Sequence, residues 1–167
     1  MKRNYFNEHV LPVKDKLYRF AQSILKNTME AEDVVQEVLV KVWQRQDTWH
    51  EIENMEALTM RMTKNLALDK LRSRHNRTDT LPEHVEWQDQ QARPDERTEQ
   101  SDLIRYVQQQ MHNLPEKHRL VMQLRDIEGM SYEEIGEVLD MTMSQVKTNL
   151  FRARQHIREH LLKNEIV

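Results

Sequence analysis

The sequence predicts an all-α protein of two small helical domains joined by an acidic, flexible linker, the carboxy-terminal domain being a helix-turn-helix. Three observations predict it. Only two Gly and four Pro punctuate 167 residues, so long loops and sheet corners are scarce and helix is the default. Apolar residues recur at i, i+3 and i+4 through most of the chain, the period of a helix that buries one stripe. Charge is only −3 overall but is segregated along the chain. Residues 61–77 carry six basic side chains against Asp69, a formal +5, and residues 78–100 carry seven acids against Arg93 and Arg97, a formal −5. The acidic stretch also holds Pro82 and Pro94 and has no helical apolar period, which marks it as an extended, mobile tether. The chain therefore divides into a domain over 1–76, a linker over 77–100 and a domain over 101–167.

Within the first domain the spacing predicts three or four helices. Leu17, Phe20, Ala21, Ile24 and Leu25 form one stripe. Asn27 with Glu30 has the spacing of a helix-opening cap, and Ala31, Val34, Val35, Val38, Leu39, Val42 and Trp43 then keep the helical rhythm for more than three turns. The opposite face of that helix presents Asp33, Gln36, Glu37 and Lys41, with Glu37 and Lys41 set for an i, i+4 ion pair and Val40 leaning outward. A third helix is expected from near Asn54 to about Arg74, burying Met55, Leu58, Met62, Leu66 and Leu71 and leaving Arg61, Lys64, Asn65 and Arg72 outside. Between these helices, residues 49–54 form a short connector opposite the basic helix. Aromatics beside cations stack unpaired bases while the cations hold phosphates. Trp43 lies on the apolar stripe and is expected in the core; Trp49 is equally suited to packing and to stacking on bases.

The second domain carries the most informative stretch, residues 125–158. Ser131 with Glu134, and Thr142 with Gln145, are two capping boxes, in which side chain and backbone satisfy each other's orphan donors. Ile135, Val138 and Leu139 line the inner face of the first helix. The second begins only three residues later, so the two axes must cross steeply. Val146, Leu150, Ala153 and Ile157 face inward on it. Gln145, Lys147, Thr148, Asn149, Arg152 and Arg154 are left facing out, and Phe151 is open to either side. Residues 143–158 hold four basic side chains and no acid. A +4 face suits a phosphate polyanion, and its amide and guanidinium groups suit base edges in a major groove.

Composition also excludes classes. With no cysteine there is no disulfide and no thiol chemistry. No apolar run is long enough to span a bilayer and the amino terminus lacks a signal-peptide core, so a cytoplasmic protein is expected. His156 and His160 stand at i, i+4, but Ile157 replaces the Glu of a zinc-protease helix and no third ligand is suggested. No metal site, no cofactor, no small-molecule substrate and no enzymatic activity are expected.

The blocks AEDVVQEVLVKVW (31–43), LPEKHRLVMQLRDIEGMSYEEIGEVL (114–139) and VKTNLFRAR (146–154), in this order around a basic helix and an acidic linker, resemble the extracytoplasmic-function sigma factors of the sigma-70 family. The resemblance covers essentially the whole chain. It implies a non-catalytic subunit that binds core RNA polymerase, recognises two elements of promoter DNA and stabilises the opened non-template strand. Asp33, Gln36, Glu37 and Lys41 would then dock polymerase. Trp49, Asn54, Arg61, Lys64, Asn65 and Arg72 would hold the single-stranded minus-ten element. Gln145, Lys147, Thr148, Asn149, Phe151, Arg152 and Arg154 would read the duplex minus-thirty-five element. An anti-sigma factor is the implied regulatory partner. Asp140 stands where the family's turn commonly has Gly, Gly136 where it has Ala, and Asn149 where Arg is frequent, so the promoter sequence cannot be borrowed from a relative. Closure of the two domains on one another would draw on the linker's −5 and the two basic faces. The alternative is a stand-alone helix-turn-helix repressor or activator, which needs a dimer interface and a palindromic site; no dimerisation heptad is present.

Overall fold

The computed structural model describes residues 1–77 and 99–164, and the described residues form eight α-helices. They are α1 (Lys2–His9), α2 (Lys14–Leu25), α3 (Thr28–Gln44), α4 (Met55–Arg77), α5 (Glu99–His112), α6 (Glu116–Met122), α7 (Tyr132–Leu139) and α8 (Met143–Lys163). Of the linker expected over 77–100, residues 78–98 lie outside the described residues, and its two ends are helical, Arg77 closing α4 and Glu99 opening α5.

In the amino-terminal half α2, α3 and α4 pack on one another. Leu17, Phe20, Ala21, Ile24 and Leu25 of α2 and Ala31, Val34, Val35, Val38 and Val42 of α3 are buried, as the spacing requires. Asn27 caps α3 by accepting the Glu30 backbone N–H at 3.0 Å. Helix α1 is not anticipated by the sequence reading. It buries none of its own residues fully and is held by aromatic contacts of Tyr5 and Phe6 with Trp49 and Trp43.

Helix α4 departs from the expected stripe. Met60, Thr63 and Ala67 are fully buried, while Leu58, Met62, Leu66 and Leu71 are only half-buried. The reason is that α4 is packed from two sides, by α2 and α3 and by α7 of the other domain. A helix with two buried faces loses the single-stripe signature. Thr59 and Thr63 tolerate burial because each hydroxyl donates to the carbonyl one turn back, both at 2.8 Å.

In the carboxy-terminal half α8 is the central element, packed by α5, α6 and α7. Helix α6 runs into a π-helical turn, Gln123–Ile127, whose widened backbone closes with Glu128 N–H donating to the Gln123 carbonyl at 3.0 Å. Gly129 follows with φ +71°, in the left-handed region that glycine adopts without strain. Beyond the α4–α7 contact, α2 packs on α6, so the two halves are closed against each other.

Candidate nucleic-acid interface

The helix-turn-helix is built as its caps dictate. Both capping boxes are complete: Ser131 with Glu134 at the start of α7, and Thr142 with Gln145 at the start of α8. Ile135 and Val138 of α7 and Val146, Leu150, Ala153 and Ile157 of α8 are buried, which fixes the rotation of α8. Asp140 makes the turn in the left-handed region, φ 54° and ψ 48°. The Met141 N–H donates to the Gly136 carbonyl at 3.0 Å. A Cβ on Gly136 would stand 2.7 Å from the Met141 carbonyl oxygen, so glycine there is a condition of this turn.

That rotation leaves Lys147, Thr148, Phe151 and Arg152 exposed on α8, Phe151 at 68%. Thr148 and Arg152 border a shallow groove between α8 and the start of α6, where His118 sits. Partial burial, then the charge of Arg152, holds the His118 imidazole below its ordinary value, so it is neutral near pH 7. Three other predicted residues have local partners. Gln145 spends its carbonyl oxygen on the cap, accepting the Thr142 N–H at 2.9 Å. Asn149 is half-buried and donates to the Gln145 carbonyl at 2.8 Å. Arg154 grips Asp126 through two hydrogen bonds of 3.1 and 2.5 Å and is not the free cation expected from its outward position.

On α4 the predicted strand-binding residues divide. Arg61, Asn65 and Arg72 are exposed. Lys64, expected outside, is 8% exposed, because α7 lies across it and its ammonium faces Asp140 at 3.7 Å. Arg61 also reaches Asp140, at 3.2 Å. Asn54 caps α4, its carbonyl oxygen accepting the Ala57 N–H at 3.0 Å, and its amide donates to Glu134 at 2.8 Å. Of the two tryptophans, the one the sequence left open is buried and the one expected in the core is part-exposed. Trp49 is 5% exposed and donates its indole N–H to the Val42 carbonyl at 2.9 Å, with Tyr5 and Phe6 stacked beside it. It is a core residue and presents no face to a base. Trp43 is 40% exposed, since α1 covers only part of it through the edge contact with Phe6.

The α3 face holds together as drawn from the spacing. Asp33, Gln36 and Glu37 are exposed and Lys41 is half-buried, with Glu37 and Lys41 3.4 Å apart. Asp33 faces Lys70 of α4 at 3.8 Å. Exposed Met29 and Val40 flank these charges on the same helix.

The sequence reading missed the contacts between the halves. Arg19 of α2 holds Glu128 with two hydrogen bonds of 2.8 Å, and the Glu128 side chain is wholly buried. Lys26 donates to the His112 carbonyl at 3.2 Å. A cleft of about 800 Å³ remains between α2 and α3 on one side and α5 and α6 on the other. No local pattern encodes pairs 80 to 109 residues apart. Among the described residues no cluster of three His, Cys, Asp or Glu side chains could hold a metal ion, and no helix is long and apolar enough to cross a membrane.

A helix-turn-helix with a basic outer face, tethered to a second helical domain with a basic helix, defines a two-part DNA-engaging protein. Residues 10–77 match the model for Sigma-70 region 2 and residues 104–157 that for Sigma-70, region 4. The ECF RNA polymerase sigma-E factor of Haemophilus influenzae is 30% identical over 138 residues, covering 77% of this chain and 73% of that protein. The ECF RNA polymerase sigma factor SigE of Mycolicibacterium smegmatis is 32% identical over 161 residues. That match covers 95% of this chain, which spans 62% of SigE's length. In fold the chain is similar to the sigma factor RpoE of Bartonella quintana, solved in complex with the anti-sigma factor NepR, with a TM-score of 0.72, 24% identity and coverage of 95% and 96% of the two chains. The chain belongs to the extracytoplasmic-function sigma factors of the sigma-70 family.

Proposed function

We propose that this chain is a promoter-specificity subunit that acts in the cytoplasm with core RNA polymerase and has no catalytic step of its own. The observation that carries it is the capped helix-turn-helix with Lys147, Thr148, Phe151 and Arg152 exposed and no acid on residues 143–158. On that basis α8 enters the major groove of the minus-thirty-five element, where Lys147 and Arg152 meet guanine acceptors or phosphates. Arg61, Lys64, Asn65 and Arg72 of α4, with Asn54 at its cap, hold the non-template strand of the minus-ten element. That strand stabilises the open state, because the site pays nothing to unpair a base already out of the stack. The mixed face of Asp33, Gln36, Glu37 and Lys41, with exposed Val40 beside it, docks polymerase by charge complementarity. An anti-sigma factor is the expected antagonist.

The test is transcription. Purified chain added to bacterial core polymerase is expected to start transcripts on genomic fragments that core alone ignores, and Glu37→Lys is expected to abolish those starts while sparing duplex binding. Polymerase-independent binding to a palindrome, with no new starts, would instead establish a stand-alone repressor.

A further inference from the structure

Two carboxylates of the helix-turn-helix lie on the strand-binding face of α4. Glu134 of α7 accepts from the Asn54 amide at 2.8 Å, and Asp140 of the turn faces Arg61 at 3.2 Å and Lys64 at 3.7 Å. The Lys64 side chain is only 10% exposed beneath them, so a phosphate has no route to its ammonium in this state. Asp140 holds this place in a left-handed backbone conformation, φ 54°, that glycine adopts more cheaply. Lys147, Thr148 and Arg152 of the α8 recognition face stay exposed in the same state. In the closed molecule the duplex-reading side chains are therefore free, whereas Asn54, Arg61 and Lys64 of the strand-binding set are already engaged by carboxylates.

We propose that Glu134 and Asp140 act as an internal substitute for strand phosphates, so that closure of the two domains competes directly with capture of single-stranded DNA on α4. This rests on α4 being the strand-binding face. Both devices use the same cations, and a carboxylate tethered in the same chain competes at a high effective concentration. Single-strand affinity is then lowered by the fraction of molecules that are open, while duplex affinity is untouched. The order of events follows: duplex engagement first, strand capture only after α7 has left α4. Any partner that pulls the domains apart, polymerase included, licenses the second step.

The test is fluorescence anisotropy on the full chain with a labelled single-stranded DNA of about 12 nucleotides, within the usual footprint of such sites, and with a duplex of the same length. The variant is Glu134→Gln with Asp140→Asn. Gln keeps the capping box and Asn tolerates the left-handed turn, so the fold is retained while the charge competition is removed. Single-strand affinity is expected to rise about five- to tenfold, as for a site held closed some nine-tenths of the time. Duplex affinity is expected to stay unchanged and the radius of gyration in solution scattering to increase. Glu133→Gln with Glu137→Gln, exposed on the same helix, makes the same change in net charge without touching α4. An equal rise in that control, or no rise in the first variant, overturns the proposal. Arg61→Ala with Lys64→Ala in the Glu134→Gln, Asp140→Asn background separates the two layers. Loss of the gained affinity supports both, whereas no loss means that α4 does not hold the strand, and the competition falls with it.

Discussion

Gly136 and Asp140 decide the turn between α7 and α8 against the general preferences of their residue types. Replacing a mid-helix Gly by Ala ordinarily gains up to about 1 kcal/mol in helix propensity. Here the new Cβ would lie 2.7 Å from the Met141 carbonyl oxygen, a backbone atom that moves only if the turn opens. Forced overpacking typically costs about 1–3 kcal/mol, so the steric term outweighs the propensity term. Gly136→Ala is expected to destabilise the chain by up to about 2 kcal/mol net, read as a lower urea midpoint. An unchanged or higher midpoint would show that the turn relaxes freely. Sequence marked Gly136 and Asp140 only as departures from the Ala and Gly common in the family, because the close approach at 136 and the left-handed backbone at 140 depend on how the turn closes. The sequence misplaced Trp43 and left Trp49 open because their fate depends on α1, a helix whose amphipathic signal is weak and whose anchors are two aromatic rings.

Helix α8 was legible almost residue by residue, because caps and an apolar stripe are local signals and both are present. What its spacing left open was which outward cations are already paired. Arg152 is exposed, whereas Arg154 sits on Asp126 of the π-helical turn, and two such bonds hold the guanidinium in a fixed fork. Arg152→Ala is expected to weaken duplex binding and to reduce the slope of log affinity against log salt by about 1. Arg154→Ala is expected to change that slope by less than half as much, since its charge is neutralised before DNA arrives. Anisotropy titrations at four or so salt concentrations separate the two; equal slopes for both variants would mean that Arg154 leaves Asp126 on DNA. Helix α4 shows the opposite limit. Its two buried faces erase the single stripe, and its true inner residues Met60, Thr63 and Ala67 include a polar one that only a backbone hydrogen bond makes acceptable.

Closure of the two halves is written in charges that lie far apart in sequence. The basic face of α4 contributes Arg61 and Lys64, and the acids come from α7, its turn and the end of the π-helical turn, while the linker acids expected to take part fall on residues 78–98, outside the described residues. Buried Glu128 is tolerable only with Arg19 and Gln123 on it, since a buried carboxylate without partners costs several kcal/mol. This makes the closed state sensitive to acid in two windows. His112 lies at the end of α5 beside the cleft, near Lys26 and Arg119, and burial followed by those two cations holds its imidazole down to about 4 from 6.5. Asp15 and Glu32, which line the same cleft, are the nearby groups that would favour the protonated form. Because the folded value is depressed, the unfolded chain binds the proton first. Stability is thus fully present above about pH 6.5, falls as pH drops, and has lost this contribution by about 4. Discounted for a site still open to water, the loss is about 1–2 kcal/mol. Glu134 follows lower: the Asn54 hydrogen bond, then those at Ser131, hold its carboxyl below 4.5, so its contribution disappears only as pH falls through that lower value. Urea midpoints and scattering radii at pH 7.5, 6 and 5 are expected to show falling stability and an opening molecule in wild type. His112→Gln, which keeps the backbone carbonyl that Lys26 binds, is expected to lose less over that range, the remaining fall coming from His118, whose imidazole is also held down. Parallel losses in both proteins would place the sensitive group elsewhere, whereas a smaller loss in the variant would mean that protonation of the His112 imidazole destabilises the packing around the cleft between α2, α3, α5 and α6.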